Sequence, residues 1–88
     1  MKITFDPAKD AANQAKHGVP LSLARKIEWE TLWAMPDARQ DYGEERWIGY
    51  AYIGLRLYCV VFTDRGLERR IISLRKANGR EIKRYAEA

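Results

Sequence analysis

Three runs rich in β-branched and aromatic residues follow one another through the second half of the chain with almost nothing between them: 45–53, 57–63 and 67–75. Gly54-Leu55-Arg56 and Asp64-Arg65-Gly66 separate them, and both are short enough for hairpins. Few arrangements accommodate this: the runs must be consecutive strands of a meander, because parallel neighbours need a crossover of a dozen residues or more. The last of them turns straight into a basic helix, since Asn78 followed by Glu81 reads as an N-cap and N3 pair that starts a helix at about Gly79. Strict alternation along this strand puts Leu67, Arg69, Ile71, Ser73 and Arg75 on one face and Glu68, Arg70, Ile72, Leu74 and Lys76 on the other. Ile72 and Leu74 are then expected to bury under helices while Arg69, Ser73 and Arg75 point together from the opposite side. In the helix, Ile82, Tyr85 and Ala86 share one side, with Arg80, Lys83, Arg84 and Glu87 on another.

Upstream, Lys2 to Phe5 is a short strand candidate, closed by Asp6-Pro7, an N-cap followed by a first-turn proline. The spacing predicts a helix over 7–17, with Ala8, Ala11, Ala12 and Ala15 as a small-residue packing face and Lys9, Asn13, Lys16 and His17 on the polar side. Gly18 ends it, and Val19-Pro20 leads to a second helix of about Leu21 to Glu30 with Leu23, Ala24 and Ile27 inward. Leu32-Trp33-Ala34-Met35 is strand-like, and Asp41-Tyr42-Gly43 marks a turn. The order is therefore β-α-α-β-β-β-β-α, an α+β fold with a small antiparallel sheet and its helices packed mainly on one face. At 88 residues it is expected to be one domain, 1–88, with no room for a second.

Charge is unevenly placed. Residues 65–88 carry eight of the sixteen Lys and Arg and three of the twelve acids, so this quarter is net +5 and the remainder net −1. Such a field suits a partner with phosphates, and it also fits an acidic protein or a membrane surface. Cys59 is the one cysteine, so no internal disulfide forms and a reducing cytoplasm is expected. One Cys and one His are too few soft ligands for a structural zinc site, and neither metal nor cofactor is expected. No apolar run approaches the roughly 20 residues that span a bilayer, and MKITFDPAKD breaks off too early for a signal peptide. Trp29, Leu32, Trp33 and Met35 put much apolar surface into a Pro-containing segment. Either a protein partner or a second copy covers it, or the tryptophans cap the ends of the core.

No Gly-rich phosphate loop, paired-Cys motif, His-Glu-x-x-His run or G-x-S-x-G elbow is present. What remains is cationic. Cutting RNA without a metal takes a base for the ribose 2′-hydroxyl, an acid for the leaving oxygen and cations against the phosphorane charge. His17, Glu44, Glu45, Tyr85 and the arginines can fill these roles. Each also has a plainer reading: His17 as a helix-end cap, Glu45 as a surface pair with Arg46, Tyr85 as partly core. Arg69, Arg75 and Arg80 are the strongest functional candidates, three cations converging from strand face and adjoining helix, and Arg75, three residues before the Asn78 cap, is in reach of a phosphate held there. The alternative for Arg75 is to pair with an acid such as Glu45 and hold the sheet.

The runs Phe5-Asp6-Pro7-x-Lys9, Asn13-x-x-Lys16-His17-Gly18-Val19, Gly43-Glu44-Glu45-Arg46-Trp47-Ile48, Val61-Phe62-Thr63, Arg70-Ile71-Ile72-Ser73-x-Arg75-Lys76-Ala77 and Arg80-Glu81 to Tyr85 resemble, in order and spacing, the BrnT family of type II toxins. The resemblance covers essentially the whole chain. It implies a RelE-like fold, metal-independent endoribonuclease activity that arrests growth, and neutralisation by a BrnA-like antitoxin whose ribbon-helix-helix part binds operator DNA. Matched by position are Lys9, Lys16, His17, Glu44, Glu45, Arg46, Arg70, Ser73, Arg75, Arg80 and Tyr85. The expected assignment is catalysis by His17, Glu45, Arg75, Arg80 and Tyr85, and RNA binding by Lys9, Lys16, Arg46, Arg69, Arg70, Ser73 and Lys76. Antitoxin would meet Trp29, Leu32, Trp33 and Met35, in a homodimer or a heterotetramer. Pro20-Leu21-Ser22-Leu23 departs from the family, where the second helix usually opens with acids after an aromatic. The rival reading is a non-catalytic module that uses the same cations only to bind; a third is a purely structural subunit.

Overall fold

The computed structural model describes residues 1–88. Strand β1 (Lys2–Phe5) leads into helix α1 (Pro7–His17), and a 3₁₀ helix (Leu21–Lys26) precedes strands β2 (Glu28–Pro36), β3 (Trp47–Ile53), β4 (Arg56–Arg65) and β5 (Glu68–Lys76), with helix α2 (Gly79–Glu87) last. The strands form one sheet in the order β1-β5-β4-β3-β2. The meander from β2 to β5 is antiparallel as expected, but β1 pairs with β5 in parallel, Lys2 to Phe5 against Glu68 to Ile71. The sheet is therefore mixed rather than antiparallel throughout.

Capping chemistry sets the helix ends. The Asp6 carboxylate accepts from the Ala8 N–H at 2.8 Å with Pro7 in the first turn, and Gly18 closes α1 in the left-handed region at φ 70°. Only a residue without a Cβ adopts that conformation freely. At α2 both halves of the Asn78/Glu81 capping box are made, at 2.9 Å each.

The second helix is shorter and tighter than its sequence suggests. Leu21 and Ala24 are its buried residues, with the buried Ile27 as its C-cap, and a 3₁₀ helix with three residues per turn places i and i+3 on one line. The chain is extended from Glu28, so Trp29 lies in a strand and Leu23 is only partly buried.

The core has two parts on opposite faces of the sheet. Along β4, Tyr58, Val60 and Phe62 pack with Leu21, Ala24 and Ile27 of the 3₁₀ segment, while Leu57 and Cys59 pack with Tyr50, Ala77 and Tyr85 beneath α2. Helices therefore flank both faces, against the expectation of one. Face-to-face alternation explains how ten residues of β4 bury all but their ends. The close approach of β2 to β3 rests on Gly49: a Cβ there would stand 2.7 Å from Leu32 Cδ1 and 3.2 Å from the Trp33 carbonyl oxygen. Gly49→Ala is expected to lower stability by about 1–3 kcal/mol, the usual cost of overpacking. Chemical denaturation of the variant checks this.

A β-bulge at Ile72 changes what β5 presents. Phe62 faces Ile71 and Val61 faces Ser73, so Ile72 is the extra residue, and Ile71 and Leu74 both turn to the core. Strict alternation is broken there. Arg69 consequently lies on the Ile71 face, away from Ser73 and Arg75, with its guanidinium 4.6 Å from the Trp29 ring and 4.3 Å from that of Phe62. A bidentate pair with Asp64 at 2.8 and 3.0 Å completes its surroundings.

Candidate active site

On the α2 side of the sheet the helix covers one end only. The rest is an open cleft of about 630 Å³, floored by Ile48, Val61, Ile72 and Ser73 and walled by α1 on one side and the 37–46 loop on the other. Lys9, Lys16 and His17 line it from α1, Arg39 and Arg46 from the loop, and Arg75 from the end of β5. Among the lining residues these five Lys and Arg meet one carboxylate, Asp6, whose oxygen already caps α1, while Asp37 and Glu81 pair with Arg39 and Arg75 from behind. The cleft is thus strongly attractive to anions.

Asn13 places the α1 wall. β1 stops pairing at Ile71, which leaves the next outward backbone groups of β5 without a strand. The Asn13 amide supplies what is missing, accepting from the Leu74 N–H at 3.1 Å and donating to the Leu74 carbonyl at 2.8 Å and to the Val19 carbonyl at 2.8 Å. Asn13 is accordingly the buried residue of α1, and the alanines expected to pack are exposed. With Asn13 turned to β5, Lys9 and Lys16, four residues before it and three after, line the cleft along with the neighbouring Ala12.

His17 sits at the end of that wall. Partial burial first, then the charges of Lys16 and Arg75, hold its imidazole below the ordinary 6.5, so it is neutral at pH 7 and able to take a proton.

Arg75 is bound from behind. Its two terminal nitrogens hold the Glu81 carboxylate at 2.8 and 2.9 Å, and Glu81 also accepts from the Tyr50 hydroxyl at 3.1 Å and the Asn78 N–H. This acid is buried, and the arginine fork chiefly, with the cap N–H and Tyr50 in support, lowers its pKa to about 2 against an ordinary 4.5. Arg75 therefore pairs with an acid, and the acid is Glu81 rather than Glu45. Burial pushes the Tyr50 hydroxyl up to about 12, so it stays a donor to that carboxylate.

The opposite wall is organised by Asp37. Its buried carboxylate receives both Arg39 Nε at 2.8 Å and Arg39 Nη2 at 2.7 Å, with the Tyr42 hydroxyl at 3.4 Å, and the Arg39 fork holds it below the usual carboxylate range. The Asp37 N–H donates to the Arg46 carbonyl at 2.7 Å, closing the loop on itself. Arg46 then lies over the Tyr42 ring with its guanidinium carbon 3.8 Å from the centroid.

Of the residues singled out in the sequence, Lys9, Lys16, His17, Arg46, Ser73 and Arg75 are brought together at the cleft. Glu45, Arg69, Arg70, Lys76, Arg80 and Tyr85 do not line it. Glu45 is exposed and contributes its carbonyl to the Thr63 hydroxyl, Arg80 and Lys76 are exposed, and Glu44 pairs with Arg65 at 2.8 Å. Tyr85 donates its hydroxyl to the Thr31 carbonyl and meets Tyr52 edge-on, so it pins α2 to β2. The apolar quartet divides between the two faces: Trp29 and Leu32 pack on the 3₁₀ side and Trp33 on the Tyr50 side, and none of the four ranks among the exposed large hydrophobics. All four stay partly exposed on β2, which is an edge strand of the sheet, so each packs in part and keeps some surface free. Sequence reasoning missed Arg39 in the cleft and Glu81 behind it. An arginine two residues after Asp37 was the available signal for the first, and the capping box disguised the second.

An α+β sheet with an open, cation-walled cleft and a neutral-leaning histidine defines a small protein built to hold a polyanion. The family is more particular. The family model for the ribonuclease toxin, BrnT, of type II toxin-antitoxin systems matches residues 5–81, and the chain belongs to that family. Among solved structures, the Brucella abortus ribonuclease toxin BrnT is similar at 26% identity and a TM-score of 0.70, over 89% of this chain and 97% of that one. A comparison with curated proteins yields no match. Membership implies an RNA substrate and an antitoxin partner. No helix is long and apolar enough to cross a membrane.

Proposed function

We propose that this chain is an endoribonuclease that cuts RNA in the cleft between α1 and the 37–46 loop without a metal ion. His17, as the neutral imidazole, takes the proton from a ribose 2′-hydroxyl, and the 2′-oxygen attacks the neighbouring phosphorus. The bond to the 5′-oxygen breaks, and that oxygen takes a proton from solvent at the open mouth. The products are a 2′,3′-cyclic phosphate and a 5′-hydroxyl end. Lys9 and Lys16, which have no acid partner, offset the charge that builds on the phosphorane, with the Arg75–Glu81 unit fixing the end of the cleft. Ser73, on the floor, is placed to hydrogen-bond a phosphate oxygen. Glu45, Arg80 and Tyr85 take no part in this chemistry; Arg70, Lys76 and Arg80 extend the positive surface along which the strand runs.

The observation that carries this reading is the pairing of a proton-accepting His17 with cations that outnumber carboxylates around it. The partner is a BrnA-like antitoxin that closes the cleft in the cytoplasm, with operator DNA bound through the antitoxin's ribbon-helix-helix part. Incubating the purified protein with RNA in EDTA tests the activity. Fragments ending in cyclic phosphate are expected. Intact RNA, held with an affinity that falls steeply in salt, would instead make the chain a binding module.

A further inference from the structure

Arg46 differs from the other cleft cations in how it is held. Lys9 and Lys16 have no acid partner, Arg75 is forked onto Glu81, and Arg39 is forked onto Asp37. Arg46 makes no ion pair and no side-chain hydrogen bond; its Nε is buried without a partner, and its guanidinium carbon lies over the Tyr42 ring, 3.8 Å from the centroid. Tyr42 is itself anchored through its hydroxyl to Asp37. The terminal nitrogens make no hydrogen bond either, but unlike Nε they are not buried, and the residue lines the cleft, so their donors are open to a ligand there.

A phosphate asks of a cation charge and proximity, which the lysines opposite already offer. A guanidinium offers more, a directional pair of parallel donors. Its complement on a base is an edge with two adjacent acceptors and no donor beside them, as guanine presents with O6 and N7. Adenine puts its N6 donor where the second acceptor should be. Unpaired RNA exposes its base edges to such contacts, and flat arginines and aromatic rings are the usual platforms for them.

We propose that Arg46, laid on Tyr42, is a specificity-determining residue that reads a guanine of the RNA through O6 and N7. The inference rests on the ribonuclease reading of the same cleft and adds to it a preferred base.

The test uses two short RNAs, identical except that one carries guanosine and the other 7-deazaguanosine, which lacks the N7 acceptor. The intact protein is expected to cut the guanosine RNA about tenfold faster and to bind it about tenfold tighter, the scale of one bidentate base contact. Arg46→Lys keeps the charge and loses the fork, so it should handle both RNAs alike. Tyr42→Leu, which removes the ring and leaves Arg46 untouched, should weaken the preference in the same direction. Equal cutting and binding of the two RNAs by the unaltered protein overturns the proposal. A guanine preference that survives Arg46→Lys overturns it too. Should the protein cut neither RNA, the ribonuclease reading fails, while the difference in binding still decides whether Arg46 reads the base.

Discussion

Replacing His17 with glutamine is expected to lower RNA cleavage by about 10²-fold or more, the range of a positioned acid or base. Glutamine keeps the size and polarity of the side chain but accepts no proton at neutral pH. Folding should be nearly unaffected, because His17 is the last residue of α1, is only partly buried, and makes no hydrogen bond that the sheet depends on. The pH profile separates this role from mere electrostatic support. In the unaltered protein, burial together with Lys16 and Arg75 depresses the imidazole pKa, so the working neutral form persists to below pH 6.5 and activity should fall only as pH drops through that lowered value. Lys16→Gln removes one of the depressing charges and should move the acid limb up towards 6.5. A limb that stays put in Lys16→Gln, or a His17→Gln protein that still cuts at the original rate, would falsify the assignment.

Arg75→Ala is expected to lower stability by about 2–3 kcal/mol, towards the low end for a broken buried pair because the arginine itself is partly exposed. For a chain of this size that is a fall in Tm of roughly 10–20 °C. The loss falls on Glu81, a buried carboxylate that keeps its charge by virtue of the arginine fork, the Tyr50 hydroxyl and the Asn78 N–H. Arg75→Lys should recover only part, since an ammonium cannot form two parallel bonds. The acid dependence has a definite sign. Glu81 titrates at about 2 in the fold and near its ordinary 4.5 when unfolded, so its contribution is complete above 4.5 and disappears as pH falls towards 2. The stability gap between the unaltered protein and Arg75→Ala should therefore narrow across that window. Thermal melts at pH 7, 4 and 2.5 measure it; a constant gap would show that Glu81 is not the group at stake.

The parts of the fold that were legible in the sequence depend on neighbours along the chain. Asp6-Pro7, Gly18 and Asn78 with Glu81 mark helix ends because a cap is a bond between residues two or three apart, and Gly54 and Gly66 mark hairpins because only the turn itself must be satisfied. The parts that were not legible depend on distant partners. Nothing local announces that Ile72 is bulged, yet this one residue sends Arg69 to the Trp29 side and leaves Ser73 and Arg75 at the cleft. Asn13 looks like a solvated helix residue until β1 ends short and Leu74 needs its amide. Trp29 falls inside the expected helix because Leu23, Ala24 and Ile27 read as its inward face at a spacing of three and four, whereas Leu21, not Leu23, is buried with Ala24 and the chain is extended from Glu28. At the cleft, the cations were visible as residue types, while the acids that immobilise Arg39 and Arg75 became visible only as contacts.

The parallel pairing of β1 with β5 also bears on when the protein becomes active. The first strand finds its partner more than sixty residues later, and the wall carrying Lys9, Lys16 and His17 is fastened to Leu74 by Asn13. Contacts of such long sequence separation form late, after the loop between them has been closed. A chain still emerging from the ribosome has α1 but no β5 to hang it on, so the cleft does not exist until β5 has been made. A chain made only as far as β4 lacks the cleft, and the interval before β5 is added is time in which the antitoxin partner that family membership implies can already be present.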